Sequence, residues 1–239
     1  MGDIVIENLQ AAYGDKTVFD GLNITLKEGA VNVVLGGSGV GKTTLLNAVS
    51  GLVPHGGIIR GADVGISYIF QKDRLIPSIS VYKNLDLVLK NKIADKRERR
   101  ARIESMLAKL EILSEMDKFP GHLSGGQAQR VSMARAFLYP SGLLLMDEPF
   151  RALDARLKIR LLGELDALLA DSPRTVVYVT HDIEECLLAA DTYFVLEGAP
   201  AEIALQGVIP TPRGERNPSD ASLAPIRGAL LKTLTGERR

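Results

Sequence analysis

The hydrophobic rhythm of the chain changes several times along its length. Residues 3–10 and 22–27 alternate apolar and polar side chains, as half-exposed strands do, and Lys27-Glu28-Gly29 turns the chain into the run Val31-Asn32-Val33-Val34-Leu35, which reads as a buried strand. A short helix over 43–50 follows, stopped by Gly51 and Pro54. Next come two strand-like runs separated by glycine, 55–59 and 65–71, the second ending in Gln71. From 78 to 123 the period becomes helical. Ser80 can cap a helix with Val81, Leu85, Val88 and Leu89 on one face, and Asp95 a second with Ile103, Met106, Leu107 and Leu110.

Pro120-Gly121-His122 ends that helical stretch, and a helix with Val131, Ala134, Phe137 and Leu138 on one side comes after it. Leu143-Leu144-Leu145-Met146 is continuously apolar, as expected of a parallel strand covered on both faces. An amphipathic helix to about residue 170 and the strand Thr175-Val176-Val177-Tyr178-Val179-Thr180 follow. The pattern is that of an α/β protein carrying a small inserted helical subdomain. After 206 the chain is rich in Pro, Gly and polar residues to 220, then sets Leu223, Ile226, Leu230, Leu231 and Leu234 at helical spacing. That last helix reads as packing on the body, ahead of a docking role.

Composition adds limits. The 239 residues can bury a full core, and 46% apolar with 24% charged residues is an ordinary globular balance. The formal net charge is 0, so no global field recruits nucleic acid, and none is expected as a partner. The run Lys96-Arg97-Glu98-Arg99-Arg100-Ala101-Arg102 is interspersed with acid and reads as a solvated helix face. Cys186 is the single cysteine and reads as packing, and the three histidines are scattered, so neither a disulfide nor a zinc cluster is expected. The N-terminal residues have no basic-then-apolar pattern of a signal peptide, and no run reaches the roughly 18 apolar residues of a membrane span.

Four stretches carry candidate chemistry. Gly36-Gly37-Ser38-Gly39-Val40-Gly41-Lys42-Thr43-Thr44 fits G-x-x-x-x-G-K-[ST] between a buried strand and a helix. Its glycines let successive N–H groups converge, the helix N-terminus adds positive potential, Lys42 can reach terminal phosphates, and the Thr43 hydroxyl can bind Mg²⁺. Ser124-Gly125-Gly126-Gln127 is a second small-residue turn entering a helix, either a plain N-cap or a second anion site. Asp147 and Glu148 end a buried strand, where open α/β sheets bind ligands; one acid can hold a metal and the other can orient or deprotonate water. His181 ends another strand and reads equally as a phosphate partner or a structural donor. Tyr13, taken alone, reads as a turn aromatic packed on a strand edge.

In their order, the loop at 36–43, Gln71, Leu-Ser-Gly-Gly-Gln at 123–127, Leu-Leu-Leu-Met-Asp-Glu-Pro at 143–149, Ala-Leu-Asp at 152–154 and Thr-His-Asp at 180–182 resemble the ATP-binding cassette (ABC) family over residues 1 to about 200. The resemblance implies an α/β fold: a P-loop NTPase core with a mainly parallel sheet, an antiparallel N-terminal β subdomain and the inserted α-helical subdomain. The implied boundaries are a nucleotide-binding domain at 1–206, with its core at 1–72 and 131–206 and the helical subdomain at 73–130, then a tail at 207–239. It implies ATP and Mg²⁺ as cofactors: Tyr13 stacked on adenine, Val18 beside it, 36–44 around the phosphates, Lys42 on the β and γ groups, and Thr43, Gln71 and Asp147 about the metal. Glu148 matches the residue that polarises water, and His181 the switch on the γ-phosphate. Ser124, Gly125, Gly126, Gln127 and Asp154 match the interface that completes the site of a second copy, so the implied state is a head-to-tail homodimer around two ATP.

Within the family, a lone cassette resembles the ATPase subunit of a bacterial importer, cytoplasmic and peripheral on the inner face of the membrane. It would work with an integral membrane permease and a periplasmic substrate-binding protein. Phe70-Gln71-Lys72-Asp73-Arg74-Leu75-Ile76-Pro77, Pro212-Arg213-Gly214-Glu215-Arg216-Asn217-Pro218 and the pair Ile226-Arg227 are similar to the nitrate, sulfonate and taurine branch, which includes thiamine-precursor importers. Two features depart from the pattern: Arg151 stands where a small residue is common, and the segment between His55 and Tyr68 is short. The alternative is a soluble cassette ATPase of DNA repair or translation. Those relatives usually carry two cassettes or a long coiled-coil insertion, and neither is seen here.

Overall fold

The structure, a computed structural model, describes residues 2–151 and 153–236. Ala152, first residue of the Ala-Leu-Asp motif, lies outside the described residues, as do 1 and 237–239 at the ends.

The alternating N-terminal residues form β1 (Ile4–Tyr13) and β2 (Lys16–Leu26), an antiparallel pair, and β4 (Gly56–Arg60) joins the other edge of β1 to make a three-stranded sheet. β3 (Val31–Gly36), every residue of it buried, belongs to a second, six-stranded sheet. Its other members are β5 (Ile66–Ile69), β6 (Leu143–Asp147), β7 (Thr175–Thr180), β8 (Thr192–Glu197) and β9 (Glu202–Val208), in the order β5-β6-β7-β3-β8-β9. All neighbours are parallel except β8 and β9. β9 carries the sheet past residue 206, where the tail was expected to begin.

The larger sheet separates two cores. On one side Val34, Leu143, Leu145, Val177 and Val179 meet the three-stranded sheet and α1 (Lys42–Val49). On the other, Val33, Leu35, Leu144, Met146 and Tyr178 meet the remaining helices. These are α2 (Val81–Leu89), α3 (Lys96–Lys109), α4 (Gly125–Leu138), α5 (Ala155–Asp171), α6 (Ile183–Ala189) and α7 (Ala224–Thr235). Ser80 and Asp95 cap α2 and α3 through the N–H groups of Lys83 and Arg97. The basic run on α3 is largely self-paired on its exposed side, Arg100 with Glu104 and Arg102 with Glu98, while Arg99 turns inward to Asp86.

The tail helix α7 buries Leu230 and ties back to α6 through two bonds from Arg227 to Glu184, at 2.7 and 3.0 Å. Cys186 is fully buried, and burial pushes its thiol far above the usual range. Among the described residues no helix is long and apolar enough to cross a membrane.

Candidate active site

β3 ends at Gly36 because nothing larger fits: a Cβ there would lie 2.7 Å from Val40 Cγ1 and 2.8 Å from the Leu196 carbonyl. The turn that follows needs left-handed backbone at Gly39 and Gly41, with φ of +78° and +119°. Gly41 is the N-cap of α1 and offers no side chain to the helix, so the opening N–H groups of α1 are left for an anion.

Lys42 is 5% exposed, and its Nζ folds back over the loop, donating to the Gly36 and Gly37 carbonyls at 2.8 and 3.0 Å. Beside it, the Thr43 hydroxyl lies 3.0 and 3.1 Å from the two oxygens of Asp147, at the end of β6. Burial raises the Asp147 pKa; the Thr43 bond opposes that shift and the neighbouring Glu148 charge adds to it. The Lys42 and Arg74 charges also oppose the shift. Thr43, Asp147 and the Gln71 side chain line one open cleft of about 350 Å³, and this all-oxygen set suits a hard divalent cation such as Mg²⁺.

Glu148 has φ of +41°, uncommon for a residue with a side chain, and donates its N–H to Val179 O of β7 at 3.0 Å. That conformation turns its carboxylate back over the loop. Lys42 Nζ is 3.3 Å from Oε1, while His181 Nδ1 and Arg151 Nη1 approach Oε2 at 3.1 and 3.2 Å. His181 leaves the end of β7 on a fixed base. Just beyond it Asp182 caps α6, and buried Glu185 accepts from Tyr178 and Thr180 at 2.6 Å each and pairs with Lys158 at 2.9 Å.

The cleft also gathers Tyr13, Lys16, Val18, Ser38, Gly39, Gly41 and Thr44. Tyr13, the last residue of β1, is 52% exposed at the rim. Val18 is buried under the loop, and a Cβ on Gly41 would come 2.6 Å from its Cγ1. Gly37, Ser38, Gly39 and Val40 border a second hollow that reaches Thr233 and Leu234 of α7. Gln71 sits two residues beyond β5, on a loop that Arg135 of α4 clasps by donating to Asp73 O and Arg74 O at 2.7 and 2.8 Å.

Ser124, Gly125, Gly126, Gln127 and Asp154 do not line this cleft. Ser124 and Gln127 form a reciprocal capping box at the start of α4, and Asp154 caps α5 by accepting from Leu157 N–H at 3.0 Å. The two turns adjoin: a Cβ on Gly126 would lie 2.8 Å from Leu157, and one on Gly125 3.9 Å from Leu153. They form one patch whose Ser124, Gly125 and Asp154 are exposed.

Lys16 and Arg151 are the cleft residues that the sequence did not single out as ligands. Arg151 stands out in the sequence only as a departure from the family pattern, three positions after Glu148.

The chain is similar to known proteins. The model for the family described as "ABC transporter" matches residues 19–151. The chain is 38% identical over 218 residues to the aliphatic sulfonates import ATP-binding protein SsuB 1 of Nocardia farcinica, covering 90% of this chain and 86% of that protein. It is 35% identical to the Fe(3+) ions import ATP-binding protein FbpC of Fusobacterium nucleatum, covering 82% of this chain and 56% of that one. Among solved structures, CbiO1 from Clostridium perfringens, part of the transporter complex CbiONQ, superposes with a TM-score of 0.76 at 28% identity, covering 86% and 88% of the two chains.

Proposed function

The chain belongs to the ABC transporter ATPases, which bind and hydrolyse ATP within membrane transport complexes, and from that premise we propose that it is the energising subunit of a bacterial importer, with the cleft around 36–44 as its ATP site. The observation that carries the site assignment is the convergence of Lys42, Thr43, Asp147, Glu148 and His181, from three separate parts of the chain, at the mouth of one glycine loop.

The polyphosphate rests on the N–H groups of the loop and of the first turn of α1, and Lys42 leaves its carbonyl partners for the β- and γ-phosphates. Tyr13, exposed at the rim, stacks on adenine with Val18 beneath it. Thr43, Asp147 and Gln71 would hold Mg²⁺, which would offset negative charge on the polyphosphate. Glu148 accepts a hydrogen bond from the attacking water and takes up its proton as the new O–P bond forms at the γ-phosphorus. The bond from γ-phosphorus to the β-bridging oxygen breaks, and ADP and phosphate leave. His181 donates to the γ-phosphate and so registers whether it is present.

The patch of Ser124, Gly125, Gly126, Gln127 and Asp154, with Ser124, Gly125 and Asp154 exposed on it, completes the cleft of a second copy in a head-to-tail dimer. Loss of the γ-phosphate then opens the pair. The helical subdomain at 73–130 serves this arrangement by placing the permease-facing helices beside the Gln71 loop, and the tail begins after β9, at 209 in place of the expected 207. The subunit works on the inner face of the membrane with an integral permease, fed by a periplasmic binding protein. The sulfonate-importer relative favours a small solute of the nitrate, sulfonate, taurine or thiamine-precursor type. An iron-importer relative at nearly the same identity shows that the ATPase similarity alone does not fix the solute.

The test is Glu148→Gln. Turnover is expected to fall by about 10²- to 10³-fold while ATP binding persists. Normal turnover, or loss of binding together with turnover, removes Glu148 from its role.

A further inference from the structure

Arg151 is the one departure from the family pattern that faces the reacting groups, and its setting is tightly built. Its N–H donates to Glu148 O at 3.3 Å, closing the turn 148–151. Phe150 inside that turn is fully buried and meets Tyr178 edge-on, with ring centroids 6.2 Å apart. From this anchored backbone the guanidinium folds back to Glu148 Oε2 at 3.2 Å.

The Arg151 side chain is 51% exposed, and an ion pair so open to solvent adds little to stability. Its value lies in what happens to the other two cations on the same carboxylate. Lys42 and His181 are the groups that turn to the phosphates when ATP binds, so each leaves Glu148 as the site fills. Glu148, on its left-handed backbone, then faces a polyanion that repels it. Arg151 lines the same cleft, but its backbone sits in the turn that carries Glu148, so its guanidinium can stay on that carboxylate while the other two cations move.

We propose that Arg151 is a positioning residue that keeps Glu148 aimed at the attacking water after ATP has drawn Lys42 and His181 away. The proposal rests on the role given to Glu148 above. It assigns Arg151 no contact with the reacting atoms.

The experiment measures ATP turnover of Arg151→Met, Arg151→Lys and Glu148→Gln in the full chain, with and without the permease. Arg151→Met should lower kcat about fivefold at unchanged KM and near-unchanged melting temperature, a loss the size of a weakened charge contact. Arg151→Lys should recover most of it, and added salt should slow the wild type more than the Met variant, since an exposed pair is screened. An unchanged kcat in Arg151→Met overturns the proposal. So does a raised KM at constant kcat, which would mean that Arg151 touches ATP, or equal losses in Met and Lys, which would mean that shape matters and charge does not. If the Met variant fails to fold, the Lys variant and the wild-type salt dependence still decide. A collapsed Glu148→Gln beside an unaffected Arg151→Met defeats only the part given to Arg151; a normal Glu148→Gln defeats the underlying site reading.

Discussion

Two small-residue turns open helices in this chain, and they treat their N–H groups in opposite ways. The turn before α1 supplies no side-chain cap, runs through left-handed backbone at Gly39 and Gly41, and keeps a buried lysine folded over itself. The turn before α4 starts from extended backbone at Ser124, φ −69° and ψ 162°, and staples itself. Gln127 Oε1 accepts from Ser124 N–H at 2.8 Å, and Ser124 Oγ from Gln127 N–H at 3.3 Å. A helix N-terminus holds an anion with the donors its own chain leaves unused. By that measure the first turn has the donors to cradle a phosphate in its own right. The second offers much less: the glycine N–H groups that the box does not reach, and the Ser124 hydroxyl hydrogen, on an exposed face. It is suited to finishing a site whose ligand is already held elsewhere, which is the division of labour a head-to-tail dimer requires.

The sharpest break of that contrast is Gly41→Ala. An alanine there must hold φ of +119° with its Cβ 2.6 Å from Val18 Cγ1 and 3.0 Å from Phe19 Cζ. The combined strain and overpacking should cost about 2–4 kcal/mol of stability, read as a lower urea midpoint, and should abolish ATP binding. Retained ATP affinity would mean that the curl of this turn is not what makes the cradle.

Next in size is Ser124→Arg, which fills the exposed face of the second turn. Turnover should fall about 100-fold, the scale of losing oriented donors at a transition state, while the single chain still binds ATP within about twofold of wild type. Equilibrium binding and turnover measured on one preparation check both halves. Should binding fall along with turnover, the second turn serves its own chain and the contrast collapses.

How much of this was legible beforehand depends on whether local pattern or long-range packing decides each feature. The strand at 175–180 and the caps at Ser80 and Asp95 follow from burial and from side-chain chemistry within a few residues, and all stand where expected. The hairpin was cut short, because register shifts between Ile6 and Leu9 and a left-handed Asn8 break the alternation that would have carried β1 on to Tyr13. β8 and β9 carry weaker local signals: one is a short buried run, the other an edge strand whose outer positions mix Glu202 and Gln206 with Ala204 and Val208. In the site, the loop and the two strand-end acids are local signals. The pairing of Arg151 with Glu148 is not, since it depends on a φ of +41° and a buried Phe150 that no spacing encodes. The exposure of Tyr13 at the rim is likewise a property of the whole cleft, which no local pattern carries.

The smallest expected effect tests the stapling itself. Gln127→Ala removes the bond to Ser124 N–H and leaves the serine half of the box in place. Losing one reciprocal cap bond costs about 0.5–1 kcal/mol, partly offset by alanine's helix propensity, so melting should fall by about 1–3 °C in a chain of this size. Gln127→Glu, which keeps the acceptor and adds a charge that favours a helix N-terminus, should restore the melting point. ATP binding by the single chain should be untouched in both, because neither substitution reaches the cleft of its own copy. Turnover should drop about twofold in Gln127→Ala, since a loosened Ser124 presents its hydroxyl less squarely to the partner's phosphate. An unchanged melting point together with unchanged turnover would show that the box neither stiffens the second turn nor aims it, and the difference between the two turns would then lie in their glycines alone.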